Sequence, residues 1–231
     1  MKKTLLLCSV ALLSACSSLN TAALKQMQKV AVVSICANTR VLPPEGSGLM
    51  GLVSSAEQKD EMDLSFVNEE MYKRVMKYER NFPFKYIDES EILENDDFQD
   101  WKEQEGDKGY LRSIHGYANV APNDEETLVQ SFKFLPKETN GVLAVDMGFQ
   151  YIASGGIGPL TIYKVSATMH MTIHDRNGEE IMRIRQAGRS DGTIKAIAGA
   201  FNAKDTQKLA LEASKDVFAR MDDYIAKKMK K

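Results

Sequence analysis

Histidine, cysteine and tryptophan are scarce in this chain: three, three and one among 231 residues. Few histidines leave few routes to a zinc site or to imidazole acid–base chemistry. His170 and His174 share one strand face, yet four strand residues at about 3.3 Å each set their backbones about 13 Å apart, too far for easy joint ligation of one ion. His115 stands alone in a glycine-containing stretch. His170 and His174 therefore read as solvated strand-face side chains. Basic excess is also missing, with 30 Lys and Arg against 32 Asp and Glu. That balance argues against a general nucleic-acid binder, which needs a basic face.

Catalytic and cofactor motifs are equally thin. Gly155-Gly156-Ile157-Gly158 runs into Pro159 and a further strand, whereas a dinucleotide loop opens a helix and a P-loop continues into Lys and Ser or Thr. No serine sits in a Gly-x-Ser-x-Gly setting. Residues 88–107 hold ten acids and one base, Lys102, without the alternating ligands, central glycine and closing glutamate of a calcium loop. That segment reads as a solvated helical face, with Trp101 fixing it to the core or to a partner. The expectation is no enzyme, no cofactor and no metal. Asp146, an acid in a largely apolar strand, is the one carboxylate whose pKa burial would raise, unless Arg183 or Arg185 pairs with it. A hydrolase built on Asp146 or His170 is the remaining enzymatic reading.

No apolar run reaches the roughly 20 residues of a membrane-spanning helix. What the amino terminus has instead is Met1-Lys2-Lys3, an apolar stretch from Leu5 to Leu13, and the small-residue tetrapeptide Leu13-Ser14-Ala15-Cys16. This is the order of a secretory signal. Leu-Ser-Ala-Cys matches the lipobox of bacterial lipoprotein signals at every position and is similar to them throughout. The resemblance implies cleavage between Ala15 and Cys16, a diacylglyceryl group on the Cys16 sulfur and a further palmitate-type chain on its amino group. Two or three acyl chains hold a protein stably on a bilayer, where one does so marginally. Ser17 is not the aspartate that marks inner-membrane retention in enteric bacteria, so the resemblance implies the outer membrane, facing the periplasm.

Removal of residues 1–15 leaves 216 residues with 28 basic against 32 acidic side chains, a formal charge of −4. Cys8 leaves with the signal and Cys16 is acylated, so Cys36 has no disulfide partner. It reads as a buried, inert thiol at the end of an apolar strand. Stability must then rest on the apolar core, which a 43% hydrophobic composition permits.

Residues 17–28 read as a linker able to extend about 40 Å. Lys29 to Cys36 is a β-branched run that predicts a strand buried on both faces. Residues 37–59, with Pro43-Pro44 and three glycines, read as a long loop and candidate contact surface. Leu64, Val67, Met71, Val75 and Tyr78 predict an amphipathic helix over 60–80, followed by a strand at 84–88 and a helix at 124–135. Two alternating runs, 141–153 and 160–175, and a returning strand at 179–187 predict a three-strand antiparallel meander closed by Asn177-Gly178. Residues 188–203 read as a loop with an apolar middle, and 205–229 as the closing helix. The fold class is α/β (α+β), a mixed sheet of about five strands with helices packed on it. Its organisation is a signal at 1–15, a lipidated terminus and linker at 16–28, and one periplasmic domain at 29–231.

This order, with Lys29-Val30-Ala31-Val32-Val33, Gly141-Val142-Leu143-Ala144-Val145 and the Asp175-Arg176-Asn177-Gly178-Glu179 hairpin, resembles the periplasmic fold of the curli-secretion channel lipoprotein and of the lipoprotein activators of penicillin-binding proteins. The resemblance implies a non-enzymatic domain that binds other envelope proteins and is held on the membrane through Cys16. The alternative is a subunit of an oligomeric secretion or pore-like ring, in which 37–59 or 188–203 contact subunits or membrane. A pore would need amphipathic hairpins of about 10 residues per strand, which neither segment clearly supplies.

Overall fold

A computed structural model describes residues 17–43, 62–106, 109–156, 161–195 and 201–229. The signal, Ala15 and Cys16, the greater part of the 37–59 loop, Gly158-Pro159 and residues 196–200 of the 188–203 segment lie outside the described residues. One mixed sheet carries the fold. Its principal strands are β2 (Lys29–Leu42), β5 (Gly141–Gly155), β6 (Ile162–His174) and β7 (Glu180–Arg189). Short strands β1 (Ser18–Leu19), β3 (Lys85–Tyr86), β4 (Leu111–Ser113) and β8 (Ile194–Lys195) complete it. The order is β1-β7-β6-β5-β2-β3, with β4 paired to β2 and β8 to β6. β2 runs parallel to β3 and β5, and the meander β5-β6-β7 is antiparallel.

β2 is buried from Val30 to Ala37 because helices cover both faces around it. On one face lie α2 (Ser65–Tyr78) and the long α6 (Ala203–Lys228). α2 contributes Val67, Met71, Val75 and Tyr78, and α6 contributes Leu209, Ala213, Val217 and Met221, the helical spacing that the sequence shows. They close over Leu143, Val145, Met147, Val165, Met169 and Met171. The opposite face carries a smaller core in which α3 (Glu89–Leu93), α4 (Asp96–Glu105) and α5 (Glu125–Gln130) bring Ile92, Phe98, Trp101 and Leu128 onto Ala31, Val33, Val142 and Ala144. Trp101, ringed by Phe98 and Phe134 at 5.4 and 6.2 Å between centroids, fixes the acidic segment to this core.

Four expectations need correction. The stretch read as a linker is folded: β1 pairs with β7, and α1 (Thr21–Gln26) follows, capped by the Asn20 side chain and burying Leu24. β1 pairs the β7 edge, whose backbone donors and acceptors would otherwise be left open, and Leu24 and Met27 are buried in the larger core. The strand expected to stop near residue 36 continues to Leu42, stepping over an irregularity between Ala37 and Val41. The sheet has eight strands rather than about five, the added ones being two or three residues long, too short to show a period. The Asn-Gly turn is longer than two residues. Gly178 N–H bonds Asp175 C=O at 3.1 Å, Gly178 takes φ +86°, and the Asp175 carboxylate accepts from Asn177 and Glu179 N–H. A carboxylate bonding its own turn competes with the tighter hairpin.

Candidate functional site

The smaller core stops at Ala144. Further along β5, the face opposite α6 presents Asp146, Gly148, Gln150 and Ile152, and strand register sets His170, Thr168, Ser166 and Lys164 of β6 beside them. β7 adds Arg183, Arg185, Ala187 and Arg189 on the same face. Arg185, Ala187 and Arg189 are exposed and the β5 and β6 residues are partly covered. This half of the face is polar because no described helix buries it, whereas the half beneath α3, α4 and α5 is apolar.

At the boundary of the two halves, one row crosses four strands. Cys36 of β2 pairs with Asp146 of β5, Asp146 with His170 of β6, and His170 with Arg185 of β7. Residues opposite one another in such ladders have Cβ atoms about 5 Å apart, so their charges are felt directly. Burial raises the Asp146 carboxyl to about 7, with the Arg185 cation opposing that rise. Burial lowers His170 to about 4, helped by the positive charges of Arg183 and Arg185. His170 Nε2 is enclosed without a hydrogen-bond partner among the described residues. Near neutrality the row thus holds a carboxyl close to half ionised beside a neutral imidazole. Cys36 is fully buried, and burial followed by the Asp146 charge pushes its thiol far above the thiolate range. Its Sγ lies 3.7 Å from Val145 C=O. A thiol so placed is a poor nucleophile.

The remaining sequence candidates fall elsewhere. Contrary to the solvated reading, His174 is buried at the foot of β6, its ring nitrogens 3.4 and 3.3 Å from the carbonyls of Gly178 and Pro122. A neutral ring donates to one of the two. His115, with φ +52°, stacks on Tyr72 at 4.2 Å and meets Glu69 at 3.0 Å. The Tyr72 hydroxyl donates to Glu89 at 2.7 Å, which pushes it up to about 12. Among the described residues no group of three or more His, Cys, Asp and Glu is arranged to hold a metal ion. Arg183 bonds to Glu180 rather than to Asp146. Two surface depressions, about 670 Å³ beside Asp124 and Asn177 and about 350 Å³ beside Asn140 and Arg176, do not include the row.

Sequence reasoning missed the collective character of the β7 arginines. Arg183, Arg185 and Arg189 stand at even spacing in a strand, a period that places them on one face. That spacing was the available signal. It also missed the position of β1. Ser18 lies opposite Arg183, and the Ser17 hydroxyl accepts from Arg185 N–H at 3.4 Å. The chain upstream of Ser18 therefore enters alongside the arginines.

The chain matches no family model, and no curated protein matches its sequence. Among solved structures, it is similar to one described as a homolog of the neuraminyllactose-binding hemagglutinin, from Helicobacter pylori, at 8% identity and a TM-score of 0.37 over 89% of this chain and 86% of that one. It is similar to the hypothetical protein CT253 of Chlamydia trachomatis at 13% identity and a TM-score of 0.33, over 86% of this chain and 98% of the other. The lipoprotein GNA1162 of Neisseria meningitidis gives 17% identity and a TM-score of 0.26, over 80% and 93% of the two chains. Likenesses at this level carry no inference about function. Among the described residues, no helix is long and apolar enough to cross a membrane.

Proposed function

We propose that this chain is a lipid-anchored envelope protein, held through acylated Cys16 on the periplasmic side of the outer membrane, whose folded domain is a non-enzymatic interaction or assembly module for other envelope proteins. The observation that carries the reading is the complete Leu13-Ser14-Ala15-Cys16 lipobox placed directly before a folded domain. In the row at Asp146 the one thiol is enclosed, and the acid and imidazole sit side by side with an arginine beyond them. The resemblance to the curli-secretion channel lipoprotein and the penicillin-binding-protein activators belongs to this reading as a statement of partner class, namely proteins of the envelope.

The test is metabolic labelling of cells producing the full chain with a radioactive or clickable palmitate, followed by membrane fractionation. The wild type should carry label and sediment with the outer membrane. Cys16→Ser should carry none and accumulate as precursor. Equal labelling of both, or a wild type cleaved without label, overturns the anchor. With the anchor established, cross-linking in intact cells should recover envelope proteins with the wild type, and recovery of the isolated monomer alone overturns the interaction role.

A further inference from the structure

We propose that the basic half-face beside β1, formed by Lys164, Arg183, Arg185 and Arg189, rests on the anionic phosphate headgroups of the leaflet that holds the tether. The inference depends on acylation of Cys16 as argued above, and it adds which surface of the domain meets the lipid. β1 runs antiparallel to β7, so the chain upstream of Ser18 heads towards higher numbers along β7, and Ser17 is already held at Arg185. Cys16 is bonded to Ser17, and one residue spans about 3.8 Å between Cα atoms. No linker lifts the domain away. A bilayer holding the acyl chains must lie beside the arginines, within the screening distance of about 8 Å that applies at physiological salt.

Charge favours the same pose. The whole chain has an acidic excess, 32 against 30, yet this half-face gathers Lys164 and three arginines against Asp146 and Glu180, of which Glu180 is bonded to Arg183. Burial also keeps Asp146 partly protonated near neutral pH. The planar guanidinium of arginine offers paired N–H donors that match phosphate oxygens. Across the same face, over β2 and β5, sit α3 and α4 with the acids of 88–107. An anionic surface repels that side and attracts the β7 side, so the electrostatic gradient and the tether turn the domain the same way.

Acylated full-length protein, reconstituted into vesicles of phosphatidylethanolamine alone or with phosphatidylglycerol, tests the pose. An introduced cysteine can be labelled selectively, since Cys36 is fully buried and Cys16 is occupied. A fluorophore at Ala187→Cys reports the basic face, and one at Glu103→Cys, exposed on α4, reports the acidic side. A headgroup-located spin label should quench the first about threefold more than the second in phosphatidylglycerol vesicles, and the difference should shrink at high salt. It should shrink likewise in the Arg185→Gln/Arg189→Gln variant. Equal quenching at both positions, or a difference that ignores both salt and phosphatidylglycerol, overturns the inference. Mass spectrometry of the Cys16 peptide separates the two failures. An unacylated Cys16 sinks the anchor, while an acylated protein with equal quenching sinks the docking surface alone.

Discussion

Asp146 and His170 are cross-strand neighbours with opposite perturbations, and their proton inventories oppose one another. The folded Asp146 titrates near 7 against an ordinary 3.8, so between about pH 4 and 7 the native state holds a proton that the unfolded chain has lost. That slope lowers stability as pH rises. The folded His170 titrates near 4 against 6.5, so over that range the unfolded chain binds the extra proton and stability rises with pH. From about pH 4 to 6.5 the two slopes cancel, and only the Asp146 decline remains above that. Arg183, Arg185, Glu180 and His174, which act on the His170 ring, stay in place when either residue is changed. Asp146→Asn should therefore unmask a rise of about 2 kcal/mol between pH 4 and 6.5, reduced from the full linkage value because the ring meets solvent. It should also be more stable than wild type at pH 8. His170→Gln should unmask the opposite slope. Urea unfolding at pH 4.5, 6 and 8 checks both, and a flat profile in each variant would show that the row does not set these protonation states.

Among the elements, α6 and β7 meet most closely at Gly188. A Cβ there would come 2.2 Å from Val217 N and 2.6 Å from Ala213 C=O, both backbone atoms of a 26-residue helix that cannot step aside. Gly188→Ala should destabilise the fold by about 3 kcal/mol, the upper part of the range for overpacking, read as a lower urea midpoint with an unchanged slope. An unchanged midpoint would mean that α6 shifts freely on the sheet. The sequence displayed α6, α2 and the meander through their periods, because Val67, Met71 and Val75 or Val165, Ala167 and Met169 repeat an apolar side chain at fixed spacing. It could not display Gly188 as a contact, since closeness to Ala213 depends on how helix and strand cross. β1, β4 and β8 were hidden because two or three residues hold no period, and pairing with longer strands is what makes them strands, whereas β3 lies within the strand expected at 84–88. The Asp146–His170–Arg185 row was half visible. Alternation put His170 on the polar face, and Arg185 was a suspected partner of Asp146, but register alone aligns all three.

At the scale of the molecule, the sheet is shared by two cores that differ in size and face. The larger lies under α2 and α6, and the smaller, with the sole tryptophan, lies under α3, α4 and α5. β2 and β5 belong to both, since Val32 and Val145 face one core while Val33 and Ala144 face the other. Loss of either core uncovers apolar residues of the same central strands and weakens the other. Buried side chains also tie the loop before α5 to the centre of the sheet. The Ser34 hydroxyl lies 2.8 Å from the carbonyls of both Ala118 and Val120, its single proton donated to one of them, and it accepts from Val120 N–H at 3.1 Å. The expected behaviour is one cooperative transition. Trp101 fluorescence, reporting the smaller core, and far-ultraviolet circular dichroism, dominated by the long strands and α6, should give coincident urea curves. Two separated midpoints, with the tryptophan moving first, would show instead that α3, α4 and α5 form a unit able to leave the sheet while α2 and α6 stay on it. In that event the acidic helices, on the side of the domain turned from the lipid in the proposed pose, would be the part free to rearrange around a partner.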